Sequence, residues 1–255
     1  MRLGFLGTGE IAAAMVRGLA GQGHDILVSP RNAALAARLC AEVPGVAVAP
    51  NPEVVAGSDV VFLCLLARVA EDVLPGLPFR ADQTVISVMV DAPLKRLRGL
   101  CAPATDISIT IPLPPIATGG CPLPVYPASP VLEALFGARN PVLPQPSEAA
   151  LNAHLGASAL CSPILDQLLT TADWLAGHTG DPGQAEAYIA AIIRTFLPER
   201  ARGGELAAAL AGLSTEGGLN ATLRAAMSGA KDDLRRGLDG FHARLGLDTP
   251  SGDRT

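Results

Sequence analysis

The sequence predicts an α/β protein in two parts, a doubly wound sheet domain followed by an all-helical one. Three observations carry that prediction. Up to about residue 145, short apolar runs alternate with helix-like segments. A glycine turn, Gly7-x-Gly9-x-x-Ala12, separates the first apolar run from the first helical segment. After Ser147 the strand signals stop. Continuous apolar strands separated by helices indicate a parallel sheet covered on both faces.

In chain order, Leu3 to Leu6 is a compact strand and Ile11 to Ala20 a helix of small and apolar residues. Asp25 to Ser29 is a second strand, followed by the Ala-rich helix Ala33 to Glu42. Val46 to Ala49 gives a short third strand, and Asp59 to Leu65 a fourth that is apolar on both faces. Thr84 to Val90 and Ile107 to Ile111 continue the series. From Leu113 to Pro146 the chain turns proline-rich. Prolines at this density do not suit central strands or helix interiors, so edge strands and a short helix near Val131 to Phe136 are expected there.

Beyond Ser147, helical spacing runs through Glu148 to Ala176, Pro182 to Phe196, Glu205 to Leu213 and Leu219 to Leu245. Asp181-Pro182 is a helix start, a capping residue followed by proline at the first helical position. These helices are rich in Ala and Leu, which predicts a homodimer interface. The expected division is a sheet domain over 1–146, a helical domain over 147–250 and a frayed tail over 251–255.

Composition narrows the functional classes. A hydrophobic fraction of 49% over 255 residues supplies a buried core. The net charge of −5, without any Lys/Arg cluster, gives no footprint for nucleic acid. Five scattered cysteines without a Cys-x-x-Cys pair suit neither a disulfide framework nor a zinc site, and most of them read as buried small side chains in a reducing cytoplasm. No stretch reaches the about 18 apolar residues of a membrane span, and the apolar amino terminus is interrupted by glycines and Glu10. The four histidines share no ligand spacing, so no metal is expected. His24 reads as a surface-turn residue, His154 as a partly buried structural one, and Trp174 and Tyr188 as core or dimer interface.

The glycine turn has the context that dinucleotide binding requires. Gly7 permits the tight turn, Gly9 lets the backbone approach a pyrophosphate, and Ala12 lets the helix pack closely on the strand. Phosphates then lie on amide groups at the positive end of the helix. The end of the second strand chooses the cofactor. An acid there suits the ribose hydroxyls of NAD, but this chain has Ser29-Pro30-Arg31-Asn32, which suits the 2′-phosphate of NADP. The first domain is read as an NADP-binding Rossmann domain.

These residues resemble those of the pyrroline-5-carboxylate reductases. The likeness takes in the glycine turn, the Ser29-to-Asn32 turn, Asn51 before an acidic helix start, and the strands ending at Leu65 and near Asp91. It extends to Pro93-Leu94-x-x-Leu97, Ile111-Pro112 with Pro115, Gly119-Gly120, and Glu216-Gly217-Gly218 in the helical half. The deazaflavin-dependent NADP reductases look similar over the first domain but lack so long a helical half. The resemblance implies a Rossmann domain joined to a helical dimerisation domain, and NADPH-dependent hydride transfer to a cyclic imine without a metal. By matching position, Gly7, Thr8, Gly9, Glu10 and Ile11 would line the pyrophosphate. Ser29, Arg31 and Asn32 would hold the 2′-phosphate, Asn51 would reach the adenosine, and Leu65, Leu66 and Ala67 would border the cofactor.

The substrate motifs depart from that family. Leu65-Leu66-Ala67-Arg68 stands where the family reads Ala-Val-Lys-Pro, and Ile111-Pro112-Leu113-Pro114-Pro115 where it reads Met-Pro-Asn-Thr-Pro. A Ser-Gly-Ser-Gly-Pro-Ala run survives only as Gly156-Ala157-Ser158-Ala159. Thr215-Glu216-Gly217-Gly218-Leu219-Asn220 replaces Ser-Pro-Gly-Gly-x-Thr, so that Asn220 takes the place of a substrate-binding hydroxyl residue. Asn220 and Glu216 are the catalytic candidates, with Pro112, Leu113, Ser158, Thr215, Gly217 and Gly218 as substrate contacts. A carboxylate in an apolar pocket can pair with an iminium or act as general acid; at a helix start it is equally a partner of the helix dipole. Two readings stay open: an NADPH-dependent reductase of cyclic imines or related small C=N/C=O compounds, and an NADP-binding sensor or partner-binding protein without catalysis.

Overall fold

The structure, a computed structural model, describes residues 1–198, 203–213 and 215–247; the tail expected over 251–255 lies outside them. The chain divides into two compact units, Met1–His154 and Leu155–Thr255.

The first unit is an eight-stranded sheet. Its strands are β1 (Arg2–Leu6), β2 (Asp25–Val28), β3 (Val46–Val48), β4 (Val60–Leu63), β5 (Thr84–Ser87), β6 (Asp106–Thr110), β7 (Leu123–Tyr126) and β8 (Val142–Pro144). They lie in the order β3-β2-β1-β4-β5-β6-β7-β8. Every pair is parallel except β6 with β7. The order reverses between β1 and β4, which is where a doubly wound sheet opens a crevice at its C-terminal edge. The expected α/β class and the helical second half are both borne out.

Alternation along the strands sends side chains into two cores. Leu3, Phe5, Val60, Phe62, Ile86, Leu123 and Val125 pack on one face with α1 (Glu10–Gly18) and α2 (Ala33–Glu42). Leu6, Val61, Leu63, Val85, Ile107 and Ile109 pack on the other with α3 (Asn51–Ala56), α4 (Ala67–Val73) and α5 (Leu94–Leu100). Phe5 stacks on Phe62 with ring centroids 4.6 Å apart and 14° between planes, an arrangement worth about 0.5–1.5 kcal/mol beyond area burial. Apart from Arg2 at the start of β1, both strands are buried along their whole length, which places the β1/β4 crossover at the close-packed centre of the sheet.

The proline-rich stretch corrects one expectation. Of the two strands in this stretch only β8 is an edge; β7, which contains Pro124, is flanked by β6 and β8. The missing N–H costs nothing because of register. Thr110 is paired with Val125, so Pro124 falls beyond the last residue of β6. Towards β8, the Leu123 N–H donates to the Pro141 carbonyl and the Gln145 N–H to the Val125 carbonyl, both outside the proline. The Pro124 carbonyl accepts the Thr110 hydroxyl at 2.9 Å. The short helix appears as α6 (Pro130–Phe136), capped by the Ser129 hydroxyl. A 3₁₀ turn at Pro114–Ala117 packs against α1, with Ile116 buried in the first core.

The helices continue with α7 (Glu148–Ser158), α8 (Cys161–Thr179), α9 (Pro182–Phe196), α10 (Glu205–Gly212), α11 (Leu219–Ala226), α12 (Ala230–Asp239) and α13 (His242–Leu245). Two continuous helical stretches expected from spacing are broken. Between α7 and α8, Pro163 has no N–H to offer the carbonyl of Ala159, and its ring would strike that carbonyl. Between Leu219 and Leu245 the breaks fall at Ser228-Gly229 and at Gly240-Phe241. Asp181 caps α9, accepting the Gln184 N–H at 2.9 Å, as the Asp-Pro pair predicted. Helices α8 and α9 pack on each other through Ala172, Ala185 and Ile189.

Candidate functional site

The glycine turn lies at the C-terminal end of β1, beside the end of β4. Gly7 has φ +94°, and a Cβ there would come within 2.4 Å of the Cys64 carbonyl oxygen. Left-handed backbone and a neighbouring strand end thus exclude every side chain at this point. Gly9 differs: it is the N-cap of α1 with ordinary φ −101°, and a Cβ on it would meet nothing within 4 Å. The space in front of the helix start is therefore open. No side chain caps α1, so its first-turn amides keep their donors for a ligand. Ala12 is fully buried, which lets α1 approach the sheet. Glu10 is exposed and Ile11 half-buried against the first core.

The residues expected on the adenosine side stand at the ends of β2 and β3. Arg31 is exposed, sits between β2 and α2, and forms no ion pair among the described residues. Asn32 caps α2, its Oδ1 accepting the Leu35 N–H at 3.2 Å, which leaves the amide nitrogen as its second polar group. Asn51 is half-buried as the first residue of α3. Ser29 is only 2% exposed, its hydroxyl accepting the Gly7 N–H at 2.8 Å. Thr8, also 2% exposed, donates its hydroxyl to the Ser29 carbonyl at 2.5 Å.

Further along the same edge, the ends of β4, β5 and β6 offer apolar groups. Leu65 is buried beside Gly7, Leu66 is half exposed as the N-cap of α4, and Ala67 opens that helix. Val90 is exposed and precedes Asp91, which holds φ +62°, an uncommon conformation for a non-glycine residue. Residue spacing carries no sign of that kink. Pro112 is buried; Leu113 is half-buried and packs on the first core, its N–H directed at the Cys121 sulfur at 3.4 Å. Leu113 is therefore held in place by its packing on the first core.

The remaining candidates belong to the second unit. Ser158 ends α7 and donates its hydroxyl to the Leu155 carbonyl at 2.7 Å. Thr215, Glu216, Gly217 and Gly218 form a tight turn before α11, closed by the Gly218 N–H on the Thr215 carbonyl at 3.0 Å, with Gly217 at φ +71°. Glu216 is exposed and precedes the first turn of α11. Asn220 is exposed in the first turn of α11.

Several other residues stand differently from their sequence reading. His154 is exposed, with Nδ1 2.8 Å from the Ala150 carbonyl. His24 is half-buried, and burial lowers its pKa. Trp174 and Tyr188 are 66% and 55% exposed, hence outside any core of the single chain. Among the cysteines, Cys101 and Cys121 are buried, Cys40 and Cys64 half-buried and Cys161 exposed. Burial pushes the thiols of Cys64 and Cys101 up to about 12, which keeps them protonated and unreactive. Among the described residues no three His, Cys, Asp or Glu side chains gather into a metal-binding group, and no helix is long and apolar enough to cross a membrane.

Fold and turn geometry together define a Rossmann-type α/β protein with a helical second unit. Its particular fold is that of the pyrroline-5-carboxylate reductases. The chain superposes on the pyrroline carboxylate reductase of Plasmodium falciparum, solved with NADP bound, with a TM-score of 0.79, 13% identity, and 96% of this chain and 97% of that one covered. For the 1-pyrroline-5-carboxylate reductase of Streptococcus pyogenes the TM-score is 0.76, with 17% identity and coverage of 96% and 98%. An imine reductase from a Pseudomonas species gives 0.62, 18%, and 96% and 92%. Residues 2–91 match the family described as NADP oxidoreductase coenzyme F420-dependent. No curated protein matches the chain.

Proposed function

We propose that the protein is an NADPH-dependent reductase that transfers a hydride to a cyclic imine or a related small C=N or C=O compound. The observation that carries this reading is the pairing of an open, uncapped α1 start behind Gly9 with an unpaired Arg31 at the end of β2. An open helix start suits a pyrophosphate, and a guanidinium without a carboxylate partner suits a 2′-phosphate. Asn32, through its amide nitrogen, and Asn51 complete the adenosine side. NADPH, when bound, supplies the hydride. The chain's own residues then orient the cofactor and exclude water: Leu65, Leu66 and Ala67 along the cofactor, Pro112 and Leu113 as apolar wall. Hydride transfer asks for reacting atoms about 3–3.5 Å apart and a dry site more than for a strong acid or base. Asn220 and Glu216 are the groups proposed to meet the imine nitrogen, with Thr215, Gly217, Gly218 and Ser158 around the substrate.

Support for the substrate class comes from the apolar strand ends, which replace polar positions of the reductases this chain resembles. A homodimer through the helical unit is part of the proposal. Leu219 and Leu223 on α11 and Met227 at its C-cap, spaced four residues apart, are 90%, 61% and 42% exposed, and Leu165 and Leu169 on α8 are 64% and 53% exposed. Apolar surface on this scale is a mark of association. Five unpaired cysteines suit a reducing cytoplasm.

The deciding experiment is fluorescence titration of the purified protein with NADPH and NADH, beside Arg31→Ala, followed by turnover with a panel of cyclic imines. The expected outcome is selective NADPH binding, weakened about 10- to 100-fold in the variant through loss of charge-assisted hydrogen bonds, and steady NADPH oxidation with at least one imine. Tight NADPH binding without turnover across the panel favours the sensor reading. No binding of either nucleotide sinks both.

A further inference from the structure

Ser29 occupies the position where the sequence places a ligand of the 2′-phosphate, yet its surroundings give it another task. We propose that Ser29 is a positioning residue that sets the glycine turn, and that it makes no contact with the 2′-phosphate. The inference rests on the NADP-binding reading of this edge of the sheet.

Three hydrogen bonds tie Ser29 to the chain leaving β1. Its N–H donates to the Phe5 carbonyl at 3.0 Å, its hydroxyl accepts the Gly7 N–H at 2.8 Å, and its carbonyl accepts the Thr8 hydroxyl at 2.5 Å. Both Ser29 and Thr8 are 98% buried, so neither presents surface to a dianion. The first of these bonds continues the strand pairing and needs no particular side chain. The other two depend on a hydroxyl at each end, and both hold residues inside the turn. They determine where the backbone at 7 and 8 stands, and hence where the amides that open α1 point. Thr8 spends its hydroxyl on Ser29, so its side chain is not a phosphate ligand either. Without the Ser29 oxygen, the buried Gly7 N–H loses its partner, and the turn must move to find another.

This assignment separates two effects that a direct-contact role would merge. The pyrophosphate is common to NADPH and NADH, whereas the 2′-phosphate belongs to NADPH alone. Ser29→Ala is therefore expected to weaken both nucleotides by the same factor, about tenfold, leaving their ratio at the wild-type value. Arg31→Ala is expected to collapse the ratio. Thr8→Val, nearly the same shape without the donor, is expected to repeat the parallel loss and covers the case in which Ser29→Ala fails to fold. Ser29→Thr, which keeps the oxygen, is expected to restore both affinities. Binding stoichiometry is read in the same titrations, so that loss of folded protein is not mistaken for loss of affinity. A loss confined to NADPH in Ser29→Ala, or unchanged affinity for both nucleotides in Ser29→Ala and Thr8→Val, overturns the assignment. Wild-type protein that binds neither nucleotide overturns the cofactor reading itself, an outcome recognisable before any variant is made.

Discussion

Two glycines in one turn answer to different constraints, and each constraint has its own measurable consequence. Gly7 is fixed by its left-handed backbone and by the Cys64 carbonyl 2.4 Å from where a Cβ would stand. Gly7→Ala is expected to cost about 1–3 kcal/mol of stability, seen as a Tm lower by several degrees. Gly9 has ordinary backbone angles and open space before it. Gly9→Ala is expected to leave Tm nearly unchanged, within about 0.5 kcal/mol, while NADPH affinity falls because the new methyl stands where the pyrophosphate would approach. A Gly9→Ala protein that binds NADPH as the parent does would show that the open space is not the phosphate site. The sequence motif lists both glycines alike. Only their surroundings divide them into one that the fold requires and one that stands beside open space.

At the scale of elements, the two strands that flank the switch point are tied at their other end by an ion pair. Arg2 at the start of β1 meets Asp59, which precedes β4; the Arg2 N–H donates to the same carboxylate at 3.1 Å. The guanidinium hydrogen bond, and then the backbone one, hold the Asp59 carboxyl below its usual range. A depressed folded pKa means stabilisation that is complete above the unfolded value of about 3.9 and is lost as pH falls through the folded one. Asp59→Asn is expected to lower Tm modestly at pH 7, with the gap to wild type closing below about pH 4. The pair is largely exposed, which keeps the effect small. A gap that stays constant from pH 7 to pH 3 would assign the loss to packing instead. Other elements were legible to different degrees. The helix over Ala33–Glu42 was read to the residue from its Ala-rich run, and the structure adds that Asn32 caps it. Helix α4 went unread: it is seven residues long, and only Ala70 among them is buried. Strand β7 was misplaced at an edge because the composition rule for proline takes no account of register, which puts Pro124 one residue past the end of β6.

Across the whole molecule, the two units stand in different relation to water. The first has two closed cores and a sheet buried on both faces. The second has few fully buried side chains among its described residues and many exposed ones, including Leu206, Leu210 and Leu219 besides those on α8. The homodimer proposed above accounts for this difference. Leu165→Glu with Leu169→Glu is expected to convert a dimer to a monomer in light scattering, while NADPH binding to the first unit persists. A parent protein that is monomeric at micromolar concentration would contradict the proposal.

The sequence by itself determined the class of fold, the glycine turn and the absence of an acid at the end of β2. These depend on local spacing and on residue types with few alternatives, so they survive without knowledge of distant contacts. Only the tertiary structure decided where each candidate residue stands and what it touches. It turned Ser29 and Thr8 inward to each other, set Leu113 into a core wall, left Glu216 exposed and bent the backbone at Asp91. The Ser29–Thr8 pairing depends on which strand ends lie side by side, because the neighbourhood of β1 and β2 joins residues 21 and 22 positions apart. Hydrogen bonds across that distance leave no mark on local periodicity.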